Sequence, residues 1–169
     1  MKVTFVYLRE DDPTKSTMKK LERFGLAERI DARNIGRKVT LTPYGSSYIK
    51  KPDSTLLSKY GINVIDGSGA RIEGISKMRL VNSRRVPALL AANPVNYGKL
   101  EILSSVEALA AALFITGYAD LAHNILEKFK WGPNFLVLNM EPLSDYAECQ
   151  TDQQVRMVES EYFPTNSEK

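Results

Sequence analysis

The run Ile62-Asn63-Val64-Ile65-Asp66 is apolar and strand-length, and Gly67-Ser68-Gly69 halts it at once. A glycine turn directly after a short apolar strand is where open α/β sheets bring their backbone close to a ligand. Strand-like and helix-like segments alternate on both sides of this run. Residues 3–8 read as a first strand, and Ser16 or Thr17 then caps a helix through Met18, Leu21, Phe24, Leu26 and Ala27. Residues 38–42 form a β-rich run stopped by Pro43-Tyr44-Gly45, and Asp53 or Ser54 caps a short helix that ends at Gly61. After the apolar run at 86–92, Ser104 and Ser105 open the longest apolar helix, 106–115, and residues 120–130 repeat the helical spacing. Phe135-Leu136-Val137-Leu138 reads as a late strand, with an amphipathic helix from about Leu143. Strands separated by helices of this length predict an α/β layered fold with a mainly parallel sheet.

The 169 residues suit one domain, or one domain with a small appendage. No apolar run approaches the roughly 20 residues of a spanning helix, and the N-terminus reaches Glu10-Asp11-Asp12 too soon for a signal peptide. A single cysteine, Cys149, and a single histidine, His123, exclude an intramolecular disulfide, a cysteine metal cluster and most zinc sites. Chemistry therefore falls to carboxylates, backbone amides, hydroxyls or the reactivity of a cofactor, and no metal is expected. His123 and Cys149 are read as incidental, Cys149 within an acidic, mobile-looking segment. The net charge of +3 hides an asymmetry: from Glu141 onward seven acidic residues face two basic ones, leaving +8 on the first 140. A basic body with an acidic tail suits a protein that meets a polyanion with one face.

Three places could carry chemistry. Asp66, at the end of its strand, is placed to accept hydrogen bonds from a ribose or an ammonium group, or to act as a base; Gly-Ser-Gly is equally a generic turn. The stretch Ala91-Ala92-Asn93-Pro94-Val95-Asn96-Tyr97-Gly98, with Ser104-Ser105 after it, gathers hydrogen-bonding groups before a helix N-terminus. Such a terminus suits a carboxylate, although capping alone also accounts for the serines. Ser16-Thr17 offers the same choice, and Arg84-Arg85 reads as a phosphate clamp or a solvated strand entry.

The segment from Arg84 to Gly98, continuing as Leu103-Ser104-Ser105-Val106-Glu107-Ala108-Leu109 and Phe129-Lys130-Trp131-Gly132 with Phe135, Asn139 and Tyr146, resembles the small-subunit rRNA aminocarboxypropyltransferases of ribosome biogenesis. Upstream, Asp12-Pro13, Lys15-Ser16-Thr17, Lys20-Leu21, Leu41-Thr42-Pro43 and Val64-Ile65-Asp66 extend the likeness over about residues 1–147, and the short chain suggests an archaeal-type member. The resemblance implies a SPOUT-like α/β domain with a C-terminal trefoil knot (46–160), a small N-terminal α/β subdomain (1–45) and a disordered tail (161–169). It implies S-adenosylmethionine as cofactor and transfer of its 3-amino-3-carboxypropyl chain to N3 of a pseudouridine, N1-methylpseudouridine or uridine, with methylthioadenosine released. The implied partner is small-subunit rRNA or the pre-ribosomal small subunit, met by a cytoplasmic monomer.

Carried over residue by residue, Leu41, Pro43, Leu89, Leu90 and Leu103 would line the adenine pocket, and the backbone at Ile65 would hold the ribose. Thr17 and the amide of Ser105 would grip the carboxylate of the moving group, with Asp66 orienting the amino group or assisting removal of the N3 proton. Lys15, Lys19, Lys20, Arg23, Arg71, Lys77, Arg84 and Arg85 are the candidates for an RNA-facing surface. One departure matters: the family's Asp-Cys-Ser-Trp reads Asp66-Gly67-Ser68-Gly69 here, so the tryptophan surface is missing at Gly69 unless Tyr44 or Met78 replaces it. A SPOUT-type RNA methyltransferase and a non-catalytic pre-rRNA-binding assembly factor are the alternatives.

Overall fold

The computed structural model describes residues 1–8, 16–67, 74–75 and 80–165. In chain order these form β1 (Val3–Tyr7), α1 (Thr17–Arg23), β2 (Glu28–Arg29), β3 (Val39–Leu41), β4 (Ser47–Tyr48), α2 (Ser54–Tyr60), β5 (Ile62–Asp66) and β6 (Ser83–Arg85). Five helices follow: α3 (Ser105–Ile115), α4 (Ala119–Leu126), α5 (Gly132–Leu138), α6 (Met140–Tyr146) and α7 (Asp152–Tyr162). The chain divides into two compact units, one of Met1–Ser47 with Asp53–Arg85, the other of Tyr48–Pro52 with Val86–Lys169. The sequence expectation places boundaries after residues 45 and 160; the two compact units are interleaved along the chain.

The sheet has the order β2-β1-β5-β3-β6-β4. Its pairs β1–β2, β1–β5, β3–β5 and β3–β6 are all parallel, as the alternation of elements predicts. Phe5, Val64 and Ile62 are buried at its centre, and α1 covers it with Met18 and Leu21. A polar rung crosses the same core. Thr4 donates to Asn63 Oδ1 at 2.8 Å and Asn63 donates to Thr40 at 3.5 Å, all three residues being fully buried. Because these residues stand opposite one another in the register, a one-residue slip of any of the three strands would leave buried polar groups unmatched.

The second unit is built around α3. Val106, Leu109, Ala110, Ala111, Ala112 and Leu113 are all fully buried, so this helix is apolar on every face, as central helices are. Its start matches the sequence reading: Ser104 is the N-cap of a reciprocal box with Glu107. The expected strand at residues 135–138 is instead α5. Pro133 sits in its first turn, and Phe135, Leu136 and Asn139 are buried while Val137 is 72% exposed, a helical rather than an alternating pattern. Four consecutive apolar residues cannot distinguish the two periods. Gly132 is required where α5 begins, since a Cβ there would lie 1.9 Å from Leu126 O. The helix expected from Leu143 is two helices, α6 and α7. Cys149 is buried between them rather than in a mobile segment, its thiol donating to Asp145 O at 3.4 Å and pushed above its ordinary pKa by that burial. No described helix is long and apolar enough to cross a membrane.

Candidate functional site

Strands β2, β1, β5, β3 and β6 pair in parallel, so their carboxyl ends share one edge, where ligands of such sheets bind. Leu41 ends β3, with Pro43 two residues on and exposed; Ile65 and Asp66 end β5. Asp66 is buried at that edge and stands in register with Tyr7. Ser16 donates its hydroxyl to Asp66 Oδ2 at 2.6 Å while accepting the Lys19 N–H at 3.2 Å. One hydroxyl thus caps α1 and orients the carboxylate. The sequence reading leaves the cap open between Ser16 and Thr17; Ser16 takes it, and Thr17 is the first helical residue. Gly67 is packed against Leu8, whose Cβ lies 2.8 Å from the position a Cβ on Gly67 would take, so the first of the two departures from the family pattern fits its surroundings without a side chain. Gly69 and Met78 lie outside the described residues, and Tyr44 is 54% exposed.

In the second unit, the chain from 86 to 93 holds Leu89, which is fully buried, and Leu90, which is half-buried. Much of its backbone is satisfied by side chains. Ala88 donates its N–H to Glu159 Oε2 at 2.8 Å and accepts from the Tyr146 hydroxyl at 2.9 Å. Leu90 donates to Asn139 Oδ1 at 2.8 Å and accepts from Asn139 Nδ2 at 2.9 Å. Ala92 and Asn93 donate their N–H groups to Glu107 Oε2 at 2.7 and 3.3 Å. Asn93 Nδ2, Ser104 N and Ser104 Oγ all donate to the other oxygen, Oε1, at 2.6, 2.9 and 2.9 Å. Glu107 is fully buried and sits in the first turn of α3, where the helix dipole favours a carboxylate. A hairpin-like return, with Leu90 bridged to Leu100, brings the chain back to half-buried Leu103 and Ser105. Glu101 in this return has φ of 62°, a left-handed backbone uncommon for a residue with a side chain.

The sequence reading leaves the cap open between Ser104 and Ser105, of which Ser104 takes it, and finds neither the reach of Glu107 to Ala92 and Asn93 nor that of Glu159 to Ala88. Nothing in residue spacing announces a carboxylate that serves a segment 14 or 71 residues away. Of the RNA candidates, Lys15, Arg71 and Lys77 lie outside the described residues. Lys19 places its ammonium 4.9 Å from the centre of the Tyr7 ring. Arg84 is bidentate to buried Asp53 at 3.1 and 3.1 Å and donates to Ser83 O, so all three of its nitrogens are engaged, and Arg85 donates to Gly45 O at 2.9 Å.

Residues 39–163 match the family model for the C-terminal part of ribosome biogenesis proteins. The chain is 51% identical over 161 residues to the 16S rRNA aminocarboxypropyltransferase of Thermoplasma volcanium, covering 95% of this chain and 98% of that one. The chain belongs to this family. Its likeness extends to the 18S rRNA aminocarboxypropyltransferase of Schizosaccharomyces pombe, 36% identical over 154 residues, which cover 90% of this chain and 54% of the fission-yeast protein. Among solved structures, the SAM-dependent rRNA:acp-transferase Tsr3 from Vulcanisaeta distributa superposes with a TM-score of 0.82 at 35% identity, covering 92% of this chain and 88% of that one. The resemblance read from residues 84–98 is thus matched by relatives along nearly the whole chain.

Proposed function

We propose that this protein transfers the 3-amino-3-carboxypropyl group of S-adenosylmethionine to N3 of a pseudouridine, N1-methylpseudouridine or uridine in small-subunit rRNA during ribosome biogenesis. Kinship over nearly the full chain supports the reaction class. The observation that best supports the residue roles is Asp66, buried at the carboxyl edge of a parallel sheet and oriented by Ser16 at 2.6 Å. The cofactor, when bound, supplies a carbon beside a sulfonium that is its own leaving group. What remains for the chain is positioning.

The donor set suits such a molecule. In the first unit, Leu41 and Pro43 offer apolar surface for a base, Ile65 its backbone for a ribose, Thr17 a hydroxyl for a carboxylate and Asp66 an acceptor for an amino group. In the second unit, Leu89, Leu90 and Leu103 offer apolar surface and Ser105 an amide. Asp66 either orients the amino group or takes the N3 proton. Lys15, Lys19, Lys20, Arg23, Arg71, Lys77 and Arg85 face the RNA backbone, with Arg84, already committed to Asp53, carrying the smallest share. The reading includes the SPOUT-like knotted topology and a cytoplasmic monomer acting on the pre-ribosomal small subunit.

Calorimetric titration with S-adenosylmethionine, for the wild type, Asp66→Ala and Ser105→Pro, tests the cofactor site. Binding by the wild type that weakens in both variants is expected, and RNA turnover should release methylthioadenosine. Release of S-adenosylhomocysteine would replace this reading with methyl transfer, and a folded wild type that gives no heat would replace it with an assembly factor.

A further inference from the structure

The amino ends of β1, β5, β3 and β6 lie side by side at the sheet edge opposite Asp66, and the residues just before these strands are tied together. Ile62 N–H donates to Lys2 O at 3.0 Å, Val39 N–H to Gly61 O at 3.2 Å and Thr40 N–H to Asn82 O at 2.9 Å. Asn82 Nδ2 donates to Arg37 O at 2.7 Å, which anchors the turn that carries Arg37. Gly61, with φ of 86°, leads α2 into β5 where a Cβ would lie 2.7 Å from Lys2 O, and this close passage sets Lys59 and Tyr60 at the same edge.

Two cations thereby converge on one phenol. Lys59 places its ammonium 5.3 Å from the centre of the Tyr60 ring. Arg37 first, and then Lys59, hydrogen-bond the Tyr60 oxygen and lower its pKa from the ordinary 10.0, so negative charge is favoured at this spot. Both cations are exposed, and neither belongs to an ion pair among the described residues. That sets them apart in their unit, where Glu28 takes Lys2, Glu22 takes Arg29, Asp31 takes Arg33 and Asp53 takes Arg84. A guanidinium and an ammonium carry more donors than one phenol oxygen accepts, so both keep donors for a ligand. Lys38, bonded to Asn34 O at 3.1 Å, adds a further positive charge beside them. The first unit as a whole holds sixteen basic residues against nine acidic ones, a net +7, while the rest of the chain carries −4, so a polyanion is drawn to this unit. A guanidinium, an ammonium and a phenol hydroxyl gathered at one place match phosphate, the group that such side chains hold in nucleic-acid backbones.

We infer that the amino edge of the sheet is a second RNA contact, at which Arg37, Lys59 and Tyr60 grip backbone phosphates of small-subunit rRNA away from the acceptor nucleotide. The inference rests on the proposed function. From Tyr60 to Asp66 the chain rises roughly 20 Å at the usual strand rise, so the phosphates held here are not those of the base being modified. The contact adds affinity for a larger RNA surface and leaves the reacting edge untouched.

The test measures binding of deproteinised small-subunit rRNA over a salt series, for the wild type and for Arg37→Ala/Lys59→Ala. Loss of two phosphate contacts should reduce the slope of log K against log salt by about 1.4, at about 0.7 for each single-stranded phosphate. On the same relation, affinity at physiological salt should fall about tenfold. S-adenosylmethionine affinity and melting temperature should not change, since both side chains are exposed and stand away from Asp66. Arg37→Lys/Lys59→Arg keeps both charges and should restore the slope. Equal slopes for the wild type and the alanine variant would overturn the inference, whatever the affinities. So would a loss seen only with pre-ribosomal particles, which would assign this edge to an acidic protein segment. A wild type that neither binds nor modifies small-subunit rRNA would instead sink the proposed function.

Discussion

Asn139 holds both peptide groups of Leu90, accepting its N–H at 2.8 Å and donating to its C=O at 2.9 Å, and also donates to Phe135 O at 2.9 Å. The carboxamide takes the place of a neighbouring strand. Only an amide side chain of this length can do so, because it presents a donor and an acceptor on one planar edge. Asn139→Asp keeps the shape but turns the donor into a second acceptor facing two carbonyl oxygens in a fully buried position. A loss of roughly 3 kcal/mol is expected, the scale for a buried charge without a partner, against about 2 kcal/mol for Asn139→Ala, which leaves the Leu90 groups unmatched. Urea denaturation checks the order. Equal losses would mean that the bonds to the carbonyls contribute little.

Glu107 accepts five hydrogen bonds through its two oxygens, three on Oε1 and two on Oε2. In Glu107→Gln, whichever oxygen becomes an NH₂ group, at least two of those donors meet another donor. The expected cost is about 2–4 kcal/mol despite the near-identical volume, at the usual 1–3 kcal/mol for each buried group left unmatched, less what relaxation recovers. For a chain of this size that is a melting temperature lower by roughly 4–16 °C. Amide exchange at Ala92 and Asn93 should accelerate before that of the α3 interior. Uniform acceleration would show that Glu107 acts on the whole unit rather than on the segment before it.

These two side chains mark the limit of what could be read in the residues. The strand Ile62–Asp66 is legible to the residue because its apolar run and the glycine after it are local signals, and the helix start is legible to within Ser104 or Ser105. The role of Asn139 is not, since its partner is 49 residues away and an asparagine after a short apolar run ordinarily signals only a turn. Likewise Phe135 to Leu138 reads as a strand rather than as α5 because so few residues carry no period. The place of Asp66 at a strand end marks it as a candidate, yet its partner Ser16 is visible in the sequence only as a possible cap.

Alkaline pH should weaken the second unit through a surface contact. Tyr162 donates to Asp145, which raises the phenol pKa from its ordinary 10.0 to about 12. A phenol whose pKa is higher in the folded state contributes stability that is complete below pH 10 and is lost as pH rises through about 12. Tyr162→Phe should therefore be less stable than wild type at pH 9, and the difference should close between pH 10 and pH 12. Urea midpoints measured along that range decide it; a constant gap would place the effect in packing instead.

Ser16 links stability to chemistry, because its one hydroxyl accepts the Lys19 N–H and donates to Asp66. Ser16→Ala loses both functions, and the cap alone accounts for about 1 kcal/mol. Well below the melting temperature that loss leaves nearly every molecule folded, so an unchanged transfer rate at saturating cofactor and RNA would confine Ser16 to capping. The expected result is a rate lower by about tenfold, equivalent to some 1.4 kcal/mol in the barrier, because Asp66 no longer has a donor fixing it from α1. Ser16→Thr retains a hydroxyl at the same atom and should restore both rate and stability. Restored stability without restored rate would mean that the added methyl group disturbs Asp66, and would itself place the carboxylate within reach of the reacting groups.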